Sequence, residues 1–220
     1  MKIDLHCHTY YSDDGASSPE QIIKHALKKG LDGVAITDHE TTGAWEEALN
    51  IGSELGIKII LGEEIKTNKG DILALFIKDQ INGKGKDAKW VINEIKKQGG
   101  IVIIPHPYHD IEKFKDNLID YIGLIDGIEV FNGRLPFTMP DKKAFTFAQK
   151  NNLAMTAGSD AHHYRGLGKT YTECKANTLE EFKNALLNKN SCPVGKKASL
   201  SYLVFPTLRR LKLIKGKSIP

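Results

Sequence analysis

Two histidines stand one residue apart near the start of the 220-residue chain, in the stretch IDLHCHTYYSDDG (residues 3–15). Successive side chains of a β-strand point to opposite faces, so His6 and His8 would lie side by side while Cys7 faces away. Two imidazoles on one face can chelate one metal ion. Taken alone, the pair is equally compatible with two incidental histidines, so the rest of the chain has to decide between these interpretations.

Further histidines and carboxylates follow or begin other apolar runs of the sequence. The candidate metal ligands are His6, His8, Asp13, His39, Glu64, Asp71, His106, Asp160 and His162. They exceed what one tetrahedral or octahedral ion accepts, so we expect two or three divalent ions that share carboxylates. Imidazole and carboxylate ligands without thiolate suit Zn, Mn or Fe. Burying so many carboxylates without cations would carry a severe desolvation penalty.

The elements that must position these residues alternate along the chain. β-branched and leucine-rich runs predict seven strands, at 2–5, 33–37, 58–62, 71–77, 100–105, 126–131 and 153–157. Helical patterns run from Ser18-Pro19 to Gly30 and near 42–54, 87–98, 140–151 and 178–188. This alternation predicts a parallel α/β fold, and the carboxyl ends of parallel barrel strands converge on one face. The segment GKGKDA lacks the third glycine of a dinucleotide fingerprint, which favours a closed or nearly closed barrel.

Composition indicates an ordinary globular protein. The mass of 24.4 kDa, with 40% hydrophobic and 26% charged residues, is sufficient for one substantial core. The three cysteines have no C-x-x-C spacing, which argues against a disulfide framework or a cysteine zinc site. No apolar leader or membrane-length segment is evident, so the default expectation is a cytoplasmic location.

The basic residues are concentrated at the C-terminal end. Residues 196–220 contain seven Lys or Arg and no Asp or Glu, whereas residues 1–195 contain 24 basic and 27 acidic residues. The formal charge of +4 is therefore no argument for nucleic-acid binding by the whole protein. We expect a barrel over residues 1–195 and a basic tail over 196–220. The tail suits a segment that covers the barrel, and contact with a nucleic-acid backbone or an anionic membrane surface stays open. The sequence does not define an oligomeric state.

Six motifs occur in a fixed order: DLHCHTYYSDDG, ITDHE, GEEI, IIPHPY, IEVFNGR and AGSDAHH. In order and spacing they resemble the motifs of the PHP (polymerase and histidinol phosphatase) superfamily, over about residues 3–172. The resemblance implies a distorted seven-stranded β/α barrel of the TIM-like kind. It also implies up to three metal ions in the cleft, often in a phosphoesterase.

The resemblance also implies how the ligands are shared. His6, His8, Glu64 and Asp160 would hold one ion, with Glu64 bridging to a second ion that His106 also holds. Asp13, His39 and His162 would hold the third. Asp13 is preferred over Asp14 because it stands five residues after His8, as in the family motif, and Glu64 is preferred over Glu63 because it directly precedes the apolar residue. Asp71 occupies a position where many members have histidine, which favours a harder metal such as Mn or a weaker occupancy of one site.

The resulting hypothesis is metal-assisted hydrolysis of a small phosphorylated substrate, such as a sugar, amino-alcohol or nucleotide phosphate. A water bridging the ions would attack phosphorus in line. Arg134 is the leading candidate for a clamp on phosphate, with Arg165, Lys169 and His163 as further substrate contacts. Asp38 is a candidate catalytic residue and would orient His39. The alternatives are an exonuclease-type phosphodiesterase and a non-catalytic metal-binding module.

Overall fold

The computed structural model describes residues 1–109, 113–134, 136–199, 204–211 and 213. Within these residues the strands are β1 (Lys2–Asp4), β2 (Gly33–Ile36), β3 (Lys58–Thr67), β4 (Gly70–Leu75), β5 (Ile101–Ile104), β6 (Gly127–Asn132), β7 (Ala154–Gly158), β8 (Thr170–Cys174) and β9 (Ser191–Gly195). They form one sheet in the order β7-β6-β5-β4-β3-β2-β1-β8-β9.

The described helices are α1 (Pro19–Lys28), α2 (Trp45–Leu55), α3 (Ala88–Lys97), α4 (Met139–Lys150), α5 (Leu179–Leu187) and α6 (Val204–Arg210). The first five lie where the sequence predicts helices, and side-chain caps mark the start of three of them. Ser18 and Gln21 form a capping box at the start of α1, and Pro19 follows at its first position. The side chains of Asp87 and Thr178 accept hydrogen bonds from backbone N–H groups in the first turns of α3 and α5.

The sheet differs from the expected seven parallel strands in two respects. The seven predicted strands are present, but β8 and β9 extend the sheet to nine strands in the described part of the chain. In addition, β4 runs antiparallel to both β3 and β5. Only Asn68 and Lys69 separate β3 from β4, and a two-residue connection is too short for the crossover that parallel strands need.

The barrel nearly closes between its first and seventh strands. The backbone N–H of Ala157 in β7 donates to Oγ1 of Thr172 in β8, at 2.9 Å. Beyond the strand ends, the N–H of Asp160 donates to the carbonyl of His6 at 2.7 Å, and the N–H of His8 donates to that of Ala161 at 3.0 Å. The segment carrying the two N-terminal histidines therefore forms the seam of the barrel.

Hydrophobic packing covers the outside of the sheet and one end of the barrel. One buried cluster joins α3 and α4 to the sheet, and a second lies beneath α1 and α2. A third joins Ile60, Leu73 and Ile103 of the strands to Phe182 and Leu186 of α5. Among the described residues, no helix is both long and apolar enough to cross a membrane.

The basic tail is described only in part. Lys196 and Lys197 follow β9 directly, whereas the side chains of Arg209, Arg210, Lys212, Lys215 and Lys217 lie outside the described residues. The proposed contacts of the tail with membrane or nucleic acid therefore stay predictions, as does the division into residues 1–195 and 196–220.

Candidate metal centre

His6 and His8 lie side by side beyond the end of β1, as strand alternation predicts. Both side chains are fully buried, and their ring centroids are 5.0 Å apart. Cys7 between them packs into the hydrophobic cluster beneath α1 and α2. The hydrogen bonding between β1 and β2 continues past the end of β1, since the N–H of Thr37 donates to the carbonyl of Cys7 at 3.1 Å. This backbone support fixes the direction of the two imidazoles.

Glu64 in β3 is the centre of the cluster. Its Oε2 lies 3.2 Å from Nε2 of His6, 3.3 Å from Nε2 of His8 and 3.2 Å from Nδ1 of His39. Its Oε1 lies 3.3 Å from Nε2 of His106. The neighbouring Glu63 instead accepts a hydrogen bond from the N–H of Ile81 at 2.9 Å. The structure thus brings Glu64, the predicted residue, to the histidines.

Asp160 joins the N-terminal histidines to the end of β7. Its Oδ1 lies 3.4 Å from Nε2 of His8, 3.7 Å from Nε2 of His6 and 3.4 Å from Nδ1 of His162. Asp160 and His106 have φ angles of 50° and 30°, in the left-handed region that residues with a Cβ rarely adopt. Each such conformation costs about 1–3 kcal/mol, so the surrounding contacts must hold these two residues in place.

Asp14, rather than Asp13, reaches the cluster. Asp13 was preferred from the sequence, but its side chain is exposed, whereas Asp14 is buried. Oδ2 of Asp14 lies 3.2 Å from Nε2 of His162 and 3.8 Å from Nε2 of His39. Counting residues from His8 could not make this choice, because the chain leaves the extended conformation after Thr9 and turns, with the N–H of Ser12 donating to the carbonyl of Thr9.

Asp71 lies at the start of β4 but still reaches the centre. Because β4 runs antiparallel to its neighbours, its first residues lie at the face where the parallel strands end. Asp71 is 7% exposed, and its Oδ1 has no hydrogen-bond partner among the described residues. Burial, together with the nearby charge of Glu64, raises the pKa of Asp71 to about 6. A cation beside it would favour the carboxylate form.

Burial and neighbouring charges shift the pKa values of His6 and His8 in opposite directions. Burial, reinforced by the charges of His162 and His39, lowers the pKa of His8 to about 3. His8 is therefore a neutral imidazole with a lone pair at ordinary pH. Burial opposes the charge of His6 as well, but the carboxylates of Glu64 and Asp160 outweigh it and raise the pKa of His6 above its usual range.

Among the residues that the structure describes, three groups of side chains offer ligand atoms that all lie within 4.8 Å of one another within each group. They are His8, His39 and His162; His6, His8 and Asp160; and His6, Glu64 and His106. Within the described part of the chain the buried Nε2 of His8 makes no hydrogen bond, although carboxylate oxygens lie 3.3 and 3.4 Å away. A donor set of imidazoles and carboxylates with such an unsatisfied nitrogen fits divalent cations.

A second layer of side chains orients these groups. Oε1 of Glu129 lies 3.1 Å from Nδ1 of His6, and its Oε2 accepts from the N–H of His106 and from Nδ2 of Asn132. Such a carboxylate behind a histidine fixes the orientation of the imidazole. Asp4 accepts from the N–H of Ser159 at 2.8 Å, and burial raises its pKa to about 7.

The hydrogen-bond partners of Asp38 differ from the predicted one. It was expected to orient His39 and to act in catalysis, but its carboxylate accepts hydrogen bonds from the N–H and hydroxyl of Thr9 and from the hydroxyl of Ser12. Ser12 in turn accepts from the N–H of His39 at 2.9 Å. Asp38 is 1% exposed and anchors the loop that carries Asp14, and its hydrogen-bonded link to His39 runs through Ser12.

The chain matches the family model described as PHP domain over residues 4–196. It belongs to the PHP domain family. This PHP domain is 42% identical to an uncharacterized protein of Methanocaldococcus jannaschii, over 60% of the chain and 82% of that protein. It is also 42% identical to a 5'-3' exoribonuclease of Haemophilus influenzae, but only over 30% of the chain and 24% of that enzyme.

Among solved structures, the PHP domain is similar to a two-domain protein of Bacteroides vulgatus that is described as containing a predicted PHP-like metal-dependent phosphoesterase. The TM-score is 0.78 at 26% identity, and the match covers 89% of this chain. The chain spans 64% of that two-domain protein.

The predicted substrate contacts are placed unequally around the PHP site. Nη1 of Arg134 donates to Oδ2 of Asp160 at 3.3 Å, and Arg134 lines a small pocket with Asp160, His162 and His163. Arg165 is exposed and its Nε donates to the hydroxyl of Tyr164, and Lys169 is exposed at the start of β8. Arg134 and His163 are therefore brought to the site, whereas no contact of Arg165 or Lys169 with the cluster is found in the described part of the chain.

Several residues of the site were missed from the sequence. Asp4 had a usable signal, since it stands two residues before His6 and shares its strand face. Asp141 and Lys197 had none: they pair with each other beside Asn132, and 56 residues separate them. His109, whose Nε2 lies 3.3 Å from Asp141, completes this group.

We expect Gly15→Ala to disrupt the loop that carries Asp14. A Cβ at Gly15 would lie 1.7 Å from the carbonyl oxygen of Thr9, so the backbone must move. Overpacking of this kind costs about 1–3 kcal/mol, and metal binding should weaken with it. Thermal unfolding and metal titration measure both effects. Gly85→Ala is the control. Gly85 has a positive φ and open space around an added Cβ, so this variant should lower Tm and leave metal affinity unchanged. Unchanged metal affinity in Gly15→Ala would contradict this role of the glycine.

Proposed function

We propose that this PHP domain hydrolyses phosphate monoesters of small phosphorylated molecules, with two or three divalent ions bound in the cluster. The observation that carries the proposal is the convergence of imidazoles and carboxylates at one end of the barrel, with an arginine at their edge. The groups are His6, His8, His39, His106 and His162, with Asp14, Glu64, Asp71 and Asp160.

Divalent ions at such a site supply a nucleophilic water at neutral pH and stabilise charge on phosphoryl oxygens. The side chains of the protein position the substrate phosphate and the metal ligands. The guanidinium of Arg134 lies at the pocket and can bind phosphoryl oxygens in a planar, charge-assisted manner. Asp160 holds that guanidinium at one end, which directs it toward the cluster. Glu129 keeps His6 in one tautomer and one orientation.

The pocket beside Arg134 is narrow, and Ala198, Ser199, His162 and His163 are among the residues that line it. A terminal phosphate is a better match to such a confined site than a phosphate with a second bulky ester group. This supports monoester over diester hydrolysis.

The test of the proposal combines metal analysis with two substrates. The purified protein, supplemented with Mn or Zn, should hydrolyse p-nitrophenyl phosphate faster than bis-p-nitrophenyl phosphate, and a chelator should abolish turnover. Fewer than two bound ions together with no turnover of either substrate would overturn the proposal. Equal turnover of both substrates would overturn its monoester part.

We expect Arg134→Ala to lower kcat/KM for p-nitrophenyl phosphate by about ten- to a hundredfold. A charged hydrogen bond contributes about 1.5–3 kcal/mol, and each 1.4 kcal/mol corresponds to a factor of ten. Arg134→Lys should recover only part of the loss, because an ammonium lacks the planar fork. Arg165→Ala is the matched control and should keep the wild-type rate. If Arg165→Ala were the damaging variant, the phosphate clamp would be assigned to the wrong arginine.

A second candidate is an exonuclease-type phosphodiesterase, and one observation favours it. An apolar groove along α4 is lined by Tyr108, Met139 and Phe147 and is bordered by Lys142, Lys143 and Lys150. Aromatic surfaces with lysines beside them suit single-stranded nucleic acid. Degradation of a labelled oligonucleotide that is faster than monoester hydrolysis, and is lost in Lys142→Glu/Lys143→Glu, would favour this candidate.

A further inference from the structure

The chain after β9 runs from the start of β8 to the corner between β6 and α4. The N–H of Lys196 donates to the carbonyl of Lys169 at 2.9 Å, and the N–H of Ala198 donates to that of Gly133 at 2.7 Å. A Cβ at Gly195 would lie 2.2 Å from Cδ1 of Phe131 in β6, so only glycine lets the chain approach this closely. Residues 196–199, here called the strap, are therefore fixed to the barrel.

Lys197 is the side chain that fastens the strap. Its Nζ donates to the carbonyl of Asn132 at 2.7 Å, forms an ion pair with Oδ2 of Asp141, and lies 4.6 Å from the centre of the Phe131 ring. The side chain is 18% exposed. Oδ1 of Asp141 also accepts from the N–H of Asn132, at 3.4 Å. One ammonium thus joins the end of β6 to the first turn of α4.

The corner held by Lys197 carries the phosphate-binding candidate. Nδ2 of Asn132 donates to Oδ2 of Asp160 at 3.2 Å, and Oδ1 of Asn132 accepts from the N–H of Arg134 at 3.1 Å. The guanidinium of Arg134 donates to the same oxygen of Asp160. Any shift of Asn132 therefore moves both the backbone of Arg134 and the hydrogen bonds of Asp160.

We propose that the strap is a fixed wall of the substrate pocket and that Lys197 is a positioning residue for Arg134. Ala198 and Ser199 line the pocket together with Arg134, Asp160 and His162. The wall limits the room for a second ester group, so it contributes to the preference for monoesters. This inference rests on the proposed function for its substrate class, whereas the positioning of Arg134 is also testable by binding of inorganic phosphate.

The experiment uses the full chain loaded with Mn and the variant Lys197→Met, which keeps the length of the side chain and removes its charge. Binding of inorganic phosphate is measured by calorimetry, and KM and kcat are measured with p-nitrophenyl phosphate. We expect the Kd for phosphate and the KM to rise by about tenfold, the scale of one charged hydrogen bond, with the number of bound ions unchanged. Lys197→Arg should restore most of the affinity, and Lys175→Met, an exposed lysine after β8, should have no effect.

A double variant separates positioning from general damage to the fold. If Lys197 acts through Arg134, Lys197→Met should weaken phosphate binding by less than twofold in an Arg134→Ala background. The preference for monoester over diester should also fall in Lys197→Met. Unchanged phosphate affinity in Lys197→Met would overturn the inference. So would a double variant whose Kd for phosphate rises by the full product of the two single-variant factors. If the wild type bound phosphate but turned over no ester, the proposed function would fail and the positioning role would still be decided by binding.

Discussion

Asp160→Asn is expected to lower kcat/KM for a phosphate monoester by about a thousandfold and to remove at least one bound ion. Oδ1 of Asp160 lies within 3.7 Å of His6, His8 and His162, and its Oδ2 accepts from Arg134 and Asn132. Burial disfavours the carboxylate, but Arg134 and His6 hold the pKa of Asp160 well below its usual range. Asparagine keeps the volume and removes the charge, and a thousandfold loss corresponds to about 4 kcal/mol.

The measurement for Asp160→Asn is metal content by mass spectrometry together with steady-state turnover. Asp126→Asn is a suitable control, because Asp126 is also partly buried and accepts from the N–H of Val102, but at the opposite end of β6. It should lower stability slightly and leave kcat/KM unchanged. Asp160→Asn with a full complement of ions and a wild-type rate would remove Asp160 from the ligand set.

The positions of the main elements could be predicted because their signals are local. Apolar runs such as IVII mark buried strands wherever they occur, and Ser18 with Pro19 marks the start of α1 within a residue. The convergence of the candidate ligands followed from the same reasoning, since strand ends share one face of a barrel. His6, His8, Glu64 and Asp160 are brought together as expected.

The missing strands carried weaker signals. β8 reads Thr-Tyr-Thr-Glu-Cys, in which threonines alternate with partly exposed residues, and β9 has no fully buried residue. Their place in the sheet depends on pairing with other strands: β8 pairs with β1 at the other end of the sequence, and β9 pairs with β8. The direction of β4 could have been inferred, because residues 63–70, which separate the predicted strands at 58–62 and 71–77, are too few for the crossover that a parallel neighbour needs.

The second layer of the site was the least predictable part. Lys197 lies 65 residues from Asn132 and 56 from Asp141, and no periodicity links such positions. Asp38 has a local signal, its position beside His39, but that signal indicated the wrong partner. Its hydrogen bonds go across to Thr9 and Ser12 because the loop after β1 folds back over the end of β2. Loop conformation of this kind follows from tertiary contacts.

The second large expected effect is on metal binding and turnover in Asp14→Ala, compared with Asp13→Ala. Asp14→Ala should abolish binding at the group formed with His39 and His162 and lower kcat/KM by at least about a hundredfold, on the scale of several kcal/mol for charge stabilisation by a bound ion. Although burial opposes its charge, His162 and His39 lower the pKa of Asp14, so it is a carboxylate across the ordinary pH range.

Asp13→Ala is the matched control in the same loop, and it should bind metal and turn over substrate as the wild type does, because the side chain is exposed. Metal titration with turnover on both variants therefore decides between the two aspartates. The reverse outcome, loss in Asp13→Ala alone, would mean that spacing from His8 defines the ligand and that the loop is rearranged when ions bind. A loss of metal binding and turnover in both variants would instead indicate that both carboxylates of the loop contribute to the site through their negative charge. The expected asymmetry follows from one structural cause: the close approach of Gly15 to Thr9 turns the loop so that the second aspartate, and not the first, faces His162.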